Sequence, residues 1–163
     1  MDGAHAHLLF NHFPIIGSIL SVLVLLAGFI IKNGIVKKTA MAMIVFTAVM
    51  TVPAFLTGEP AEEVLEAINQ APDAIIHEHE EIAETFAKLS LLLGAISLFG
   101  FWTSLKQKSF AKIISYVTLV FALVVMFFAQ QTGTTGGEIR HTEIRANQSN
   151  TIQQDNHSGE HND

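Results

Sequence analysis

Residues 13–31 read Phe-Pro-Ile-Ile-Gly-Ser-Ile-Leu-Ser-Val-Leu-Val-Leu-Leu-Ala-Gly-Phe-Ile-Ile. The stretch has no charged side chain, and its only hydroxyl groups are those of Ser18 and Ser21. At about 1.5 Å per helical residue it is long enough to cross roughly 30 Å of hydrocarbon. Only 15% of the 163 residues are charged, against about 25% in soluble domains. The stretch therefore predicts a transmembrane helix in a small membrane protein.

Three further apolar segments follow the first one. The predicted spans are about 11–31, 39–58, 73–105 and 112–131. The third is longer because Pro72 and Asp73 open a helix that runs without a break into the apolar segment. Glu59 and Pro60 begin a short helix between the second and third spans. The predicted fold class is all-α, an integral membrane four-helix bundle with a short outer-surface helix and an extended third helix.

The C-terminal part of the chain is polar. Residues 132–137 read Thr-Gly-Thr-Thr-Gly-Gly and predict the end of the fourth helix, because glycine weakens a helix. Residues 146–163 are rich in Asn, Gln and His and predict a disordered polar tail. Residues 1–145 then form one four-span membrane domain.

The charged residues are sorted between the two ends of the predicted bundle. The lysines of the first and third connections are Lys32, Lys37, Lys38, Lys106, Lys108 and Lys112. By the positive-inside rule both connections are cytoplasmic. Both termini and the long second connection, with all 15 acidic residues and all 8 histidines, then lie on the other side. We expect a multi-pass protein of the bacterial inner (plasma) membrane whose N- and C-termini are periplasmic.

Composition excludes several classes of function. The chain has no cysteine, which excludes disulfide scaffolds, cysteine zinc sites, cysteinyl iron–sulfur clusters and covalent c-type haem attachment. Its formal net charge of −6 argues against a nucleic-acid partner, because phosphate binding needs a cationic face. No carboxylate lies within the apolar segments, so a transmembrane ion relay is not expected. The excess of histidine is not explained by composition.

Histidines and carboxylates from four segments are predicted to meet at the outer end of the bundle. On the third helix, His77 shares one face with Glu80 and Glu81 through i,i+3 and i,i+4 spacing, which can chelate a cation. Imidazole with carboxylate suits Zn, Fe, Cu or Mn. A solvated helix face without a ligand is the other interpretation of this run. The predicted metal ligands are His7, His12, Glu59, His77, Glu80, Glu81 and His141.

Haem b is the alternative cofactor at this end. A bis-histidine haem needs two imidazoles on opposite sides of one iron. Counting helical residues outward places His7 nearer than His12 to the height of the histidines on the third helix. His12, at a predicted helix N-terminus, is expected to be neutral. Arg140 can bind an anionic group through a bidentate contact. The predicted cofactor-binding residues are His7, His12, His79, Arg140 and His141.

Two short motifs carry a family resemblance. His7-Leu-Leu-Phe-Asn-His-Phe-Pro14 and Gly136-Gly-Glu-Ile-Arg-His141 resemble a bacterial four-helix inner-membrane family of unknown function with an N-terminal His-x-x-x-x-His-Phe-Pro motif. The likeness covers most of residues 5–145. The family is found alone or fused to Rieske or cytochrome c modules, which implies a place near respiratory electron transfer. The 163 residues contain no cysteine and so include neither a Rieske nor a c-type cytochrome module.

Three classes of function are open at this point. The first is a membrane protein whose periplasmic-end site binds a transition metal or b-type haem, as a redox or accessory subunit of a respiratory complex. The second is a structural or assembly subunit whose acidic outer face docks a cationic partner such as a small cytochrome. The third is a metal-dependent membrane hydrolase, in which an ion activates water and a glutamate is the base. Membrane lipid is a partner in every case.

Overall fold

The computed structural model describes residues 3–68 and 71–145, so the predicted tail at 146–163 lies outside the described residues. The described chain is all-helical, and four of its helical stretches are long and apolar enough to cross a membrane. The predicted fold class is confirmed. The α-helices are α1 (Gly3–Phe10), α2 (His12–Ile30), α3 (Gly34–Leu56), α4 (Gly58–Ala67), α5 (Asp73–Leu105) and α6 (Ala111–Arg140), and a 3-10 turn follows at Thr142–Ile144.

Helices α2, α3, α5 and α6 form the bundle, and each packs against two neighbours in that cyclic order. The core is made of apolar side chains of all four helices, among them Val22, Leu25, Ile44, Phe86, Leu93, Ala122, Val125 and Ala129. Small and hydroxylic residues occupy the closest helix contacts, as is usual for membrane bundles. The hydroxyls of Thr51 and Ser90, for example, are hydrogen-bonded across α3 and α5 at 3.0 Å.

The beginning of the bundle differs from the sequence expectation. Asn11 has helical dihedral angles (φ −63°, ψ −27°) and makes no side-chain cap. Its backbone N–H donates to the carbonyl of His7, so α1 leads almost directly into α2. His12 therefore does not lie at an open helix N-terminus, and the expected effect of the helix dipole on it does not apply. Asn33 is the true N-cap, and its side chain accepts hydrogen bonds from the N–H groups of Ile35 and Val36.

The fourth bundle helix does not end at residues 132–137, as the glycines predicted. It continues to Arg140, because tertiary packing outweighs the low helix propensity of glycine. Thr135 and Ile139 are buried in this extension, and Gly136 lies against the ring of His79 on α5. Consequently α5 and α6 remain packed on each other beyond the apolar spans.

The two ends of the bundle have opposite chemistry. Counting about 20 helical residues from the lysines places the far hydrocarbon boundary near His12, Thr57, Phe86 and Thr132. We call the part beyond this boundary, residues 3–12, 57–68, 73–86 and 132–145, the acidic end. It contains every carboxylate of the described chain. The acidic end thus lies outside the spans, and α1, α4 and the extensions of α5 and α6 build it.

Close packing of α3 on α5 gives a first prediction. A Cβ atom added at Gly94 would collide with the Cβ atom of Ala48. Gly94→Ala should therefore lower the free energy of unfolding by about 1–3 kcal/mol, the usual cost of overpacking. Gly34→Ala is the matched control, because nothing lies within 4 Å of that position. Thermal unfolding in detergent measures both, and the double variant with Ala48→Gly should recover stability. Equal stability of the two single variants would contradict the packing.

Candidate functional site

His7 is held against the end of α3. Its Nδ1 atom lies 3.0 Å from the carbonyl oxygen of Ala54 and 3.3 Å from Oγ1 of Thr57. Ala54 is in the last turn of α3, where carbonyl groups lack a helical donor. Because a carbonyl oxygen can only accept, Nδ1 of His7 carries the proton and donates it to Ala54. The imidazole of His7 is partly buried by this contact.

His79 is held against the extension of α6. Its Nδ1 atom lies 2.9 Å from Oγ1 of Thr135. The Thr135 hydroxyl can donate its proton to a backbone carbonyl of the preceding turn, that of Gln131 at 3.2 Å or of Thr132 at 3.3 Å. In that arrangement the hydroxyl accepts from His79, and on this basis we assign the ring proton to Nδ1. The ring approaches α6 closely because residue 136 is glycine, where an added Cβ would lie 3.0 Å from Cε1 of His79.

Burial keeps both rings neutral. It lowers the pKa of His7, with a smaller contribution from charge on His12, while the hydrogen bond to Ala54 opposes the change. Burial also lowers the pKa of His79 to about 4, and charge on His7 lowers it further against the opposing hydrogen bond to the Thr132 backbone. Both residues lie in the acidic end, outside the apolar spans. The two rings are therefore within electrostatic range of each other, as are His7 and His12.

The protonation state has a chemical consequence. A neutral imidazole has one ring proton. The carbonyl of Ala54 places it on Nδ1 of His7, and we assign it to Nδ1 of His79 as well. Nε2 of each ring then carries a lone pair. Histidines that ligate metals typically have this arrangement, because a donated N–H on one nitrogen orients the ring and makes the other nitrogen more basic. We refer to these two residues as the His7/His79 pair.

The His77 motif has a different environment. The side chain of His77 is 71% exposed, with Nδ1 3.6 Å from a Glu80 oxygen and Nε2 3.5 Å from a Glu81 oxygen. The expected sharing of one helix face is therefore confirmed. These contacts are longer than hydrogen bonds, and exposed pairs of this kind contribute little stability. His77 also lies near Glu62 of α4, whose pKa its charge lowers. The motif is a solvated face of α5.

The remaining predicted ligands are all exposed. His12 is exposed and donates from Nδ1 to the carbonyl of Leu8 at 3.0 Å. His141 is paired with Glu143 at 2.9 Å. Glu59 is exposed in the first turn of α4, and Arg140 is exposed at the end of α6. Within residues 3–68 and 71–145, the structure contains no group of three or more His, Cys, Asp or Glu side chains that could hold one metal ion.

Carboxylates of α4 and α5 crowd one another at the acidic end. The pKa of Glu62 is raised by partial burial first and then by the charges of Glu80, Glu66 and Glu59. The charge of Glu80 on α5 acts on Glu62 of α4, so carboxylates of the two helices lie within electrostatic range of one another.

No family model, curated protein or solved structure matches this chain. The family resemblance of its two terminal motifs therefore stays a prediction.

The pKa of His79 gives a second prediction. Because its folded pKa of about 4 is below the unfolded value of about 6.5, the unfolded chain binds the proton more tightly. Above pH 6.5 the ring is neutral in both states, so it does not lower the free energy of unfolding. As the pH falls from 6.5 to 4, the free energy of unfolding decreases by up to about 3 kcal/mol. In His79→Gln this decrease should disappear from the pH dependence of thermal unfolding. His77→Gln, two residues away and exposed, should keep it. Parallel curves for the wild type and His79→Gln would contradict the buried neutral ring.

Proposed function

We propose that this protein is a multi-pass membrane subunit that binds a metal centre through Nε2 of His7 and His79. The observation that supports the proposal is the matched environment of the two rings. Each is partly buried, burial lowers the pKa of each, and Nδ1 of each lies within hydrogen-bond distance of an acceptor on a neighbouring helix. Helix-bundle cofactor sites are built in this way, from facing side chains of separate helices.

The donor set limits the kind of metal centre. Two imidazoles without a third clustered ligand fit a centre that obtains its other ligands elsewhere, either haem iron or a copper ion of low coordination number. The two best-formed cavities of the described chain have volumes of about 10 and 230 Å³, and neither is lined by His7 or His79. Ligand pockets of larger organic molecules are about 300–1,000 Å³. A haem would therefore require α1, α5 and α6 to separate, whereas a single ion needs much less space. We favour the ion.

The proposed cellular role rests on the distribution of the lysines and on the family resemblance of the two terminal motifs. The lysine-rich connections favour a cytoplasmic lysine end and a periplasmic acidic end in a bacterial inner membrane. The terminal motifs that resemble the Rieske- and cytochrome-associated family favour a redox or accessory subunit of respiratory electron transfer. In that role His7 and His79 would bind and orient the metal, and the neighbouring helices would limit the access of water to it.

A second function is favoured by the crowding of Glu62, Glu66 and Glu80. We propose it as a structural or assembly role, in which the acidic end docks a cationic partner such as a small basic cytochrome. Complementary charge of this kind mainly accelerates encounter, and its effect decreases with salt because the Debye length is about 10 Å at 0.1 M. It requires no bound metal.

One experiment tests the metal centre against docking. The protein is purified in mild detergent, its absorption spectrum is recorded, and its metals are measured by elemental analysis. We expect about one bound metal per chain, without a Soret band for an ion and with one for haem. His7→Ala and His79→Ala should each remove most of the metal, because either change leaves one imidazole. His77→Ala is the matched control on α5 and should retain it.

The other outcomes are equally distinct. Metal that is absent from the wild type, or retained equally in all three variants, contradicts the proposed site. In that case, binding of a basic c-type cytochrome at 20 mM salt that is lost at 200 mM would support the docking function. Failure to bind the cytochrome at low salt would exclude docking as well.

A further inference from the structure

A small cavity lies inside the bundle, between all four of its helices. Its volume of about 10 Å³ is that of about one water-sized sphere. Every residue that lines it is buried. The lining residues are Ser18 and Val22 of α2, Ile44 and Thr47 of α3, Ser90 and Leu93 of α5, and Ala122 of α6. Counted from the boundary at His12 and Thr57, the cavity lies about 9–15 Å inside the hydrocarbon.

Two hydroxyl groups of the cavity wall come from α2 and α3. Ser18 Oγ donates to the carbonyl of Pro14 at 2.7 Å, and Thr47 Oγ1 donates to the carbonyl of Met43 at 2.9 Å. A hydroxyl oxygen has two acceptor lone pairs in addition to its one proton. Because both protons are donated within the residue's own helix, both oxygens can still accept a hydrogen bond. The Thr47 oxygen is directed at α2, since a Cβ added at Gly17 would lie 2.6 Å from it.

Ser90 of α5 supplies the third hydroxyl of the wall. Its Oγ lies 3.0 Å from Oγ1 of Thr51. Thr51 can donate to the carbonyl of Thr47 at 3.0 Å, and in that arrangement Ser90 donates to Thr51. The oxygen of Ser90 then also keeps its capacity to accept. Hydroxyl oxygens of three different helices therefore surround one enclosed space.

The chemistry of the wall limits what the cavity can bind. Of the described residues that line it, none is charged, and three oxygens are fewer than the 6–8 that a cation such as calcium takes. A purely apolar cavity stays dry, whereas a polar one of about this size holds a water that has two to four polar partners. Water also has two protons to donate, which suits a wall whose hydroxyls act as acceptors.

We propose that this cavity binds one water molecule, which donates to the hydroxyl oxygens of Ser18, Thr47 and Ser90, two at a time. The water bridges α2, α3 and α5 inside the membrane. It adds an interhelical connection at a level where bulk water does not compete for hydrogen bonds. The proposal is independent of the metal centre, because neither His7 nor His79 lines the cavity.

NMR of the full chain in detergent micelles tests the water site through magnetisation transfer from water to methyl groups. A bound water transfers magnetisation to the lining methyl groups of Val22, Ile44 and Leu93. Leu25 and Val125 are equally buried in the core but do not line the cavity, so they give the background. We expect transfer to the lining methyl groups to exceed this background several-fold. Transfer at the background level would overturn the proposal.

A matched threonine distinguishes bound water from exchange of hydroxyl protons, which also carries magnetisation from water. Thr47 and Thr118 are 3% and 0% exposed, and each donates to the carbonyl four residues earlier at 2.9 Å. Of the two, Thr47 lines the cavity and Thr118 does not. Hydroxyl exchange would act alike on their γ-methyl groups, whereas a bound water acts on Thr47. We expect several-fold stronger transfer at Thr47, and equal transfer would contradict the water site.

Ala122→Val provides a second test, because it fills the cavity and leaves the three hydroxyl groups in place. The excess transfer to Val22, Ile44 and Leu93 should fall to the background. Excess transfer that persists in this variant would assign the signal to the hydroxyl protons and overturn the proposal. Circular dichroism checks the helical content of the variant, and if it does not fold, the wild-type comparison of Thr47 with Thr118 decides.

Discussion

The hydrocarbon core of a bilayer accepts neither an unpaired charge nor an unpaired backbone group, and the rest of this structure depends on that constraint. Each crossing must be a helix of about 20 apolar residues, so charged side chains are confined to the two ends. The lysines occupy one end and the carboxylates the other. Because α5 and α6 continue past the boundary, and α1 and α4 pack around them, the acidic end has enough structure to bury two imidazoles. Its chemistry is therefore a consequence of charge sorting in a small bundle.

The architecture could be predicted from the sequence because it depends on composition and length. An uncharged stretch of residues 13–31 permits few structures other than a membrane helix, and Pro72 with Asp73 correctly indicated the start of the long α5. The end of α6 could not be predicted, since local propensity at Gly133, Gly136 and Gly137 opposes the helix. Packing of the buried Thr135 and Ile139 decides it instead. That information is contained in the partner helix and not in the segment itself.

The candidate site could be predicted only in part, for a similar reason. The sequence indicated His77 as the metal ligand of the third helix because of its spacing with Glu80 and Glu81, and it indicated His79 only as a cofactor-binding residue. Helical phase distinguishes the two histidines, since His79 faces α6 and His77 faces solvent. The acceptors that set the tautomers are a backbone carbonyl at Ala54 and a hydroxyl at Thr135, and no motif identifies either one. A Thr followed by Gly136-Gly137 at the end of a span is the one signal that could have pointed to the second acceptor.

The neutral Nδ1–H state of the two imidazoles is the central claim, and nitrogen-15 NMR of the histidine side chains at pH 7 tests it most directly. Signals are assigned with His7→Gln and His79→Gln in detergent without added metal. We predict that both rings show a protonated Nδ1 and an unprotonated Nε2. A protonated Nε2 on either ring, or a doubly protonated ring, would contradict it.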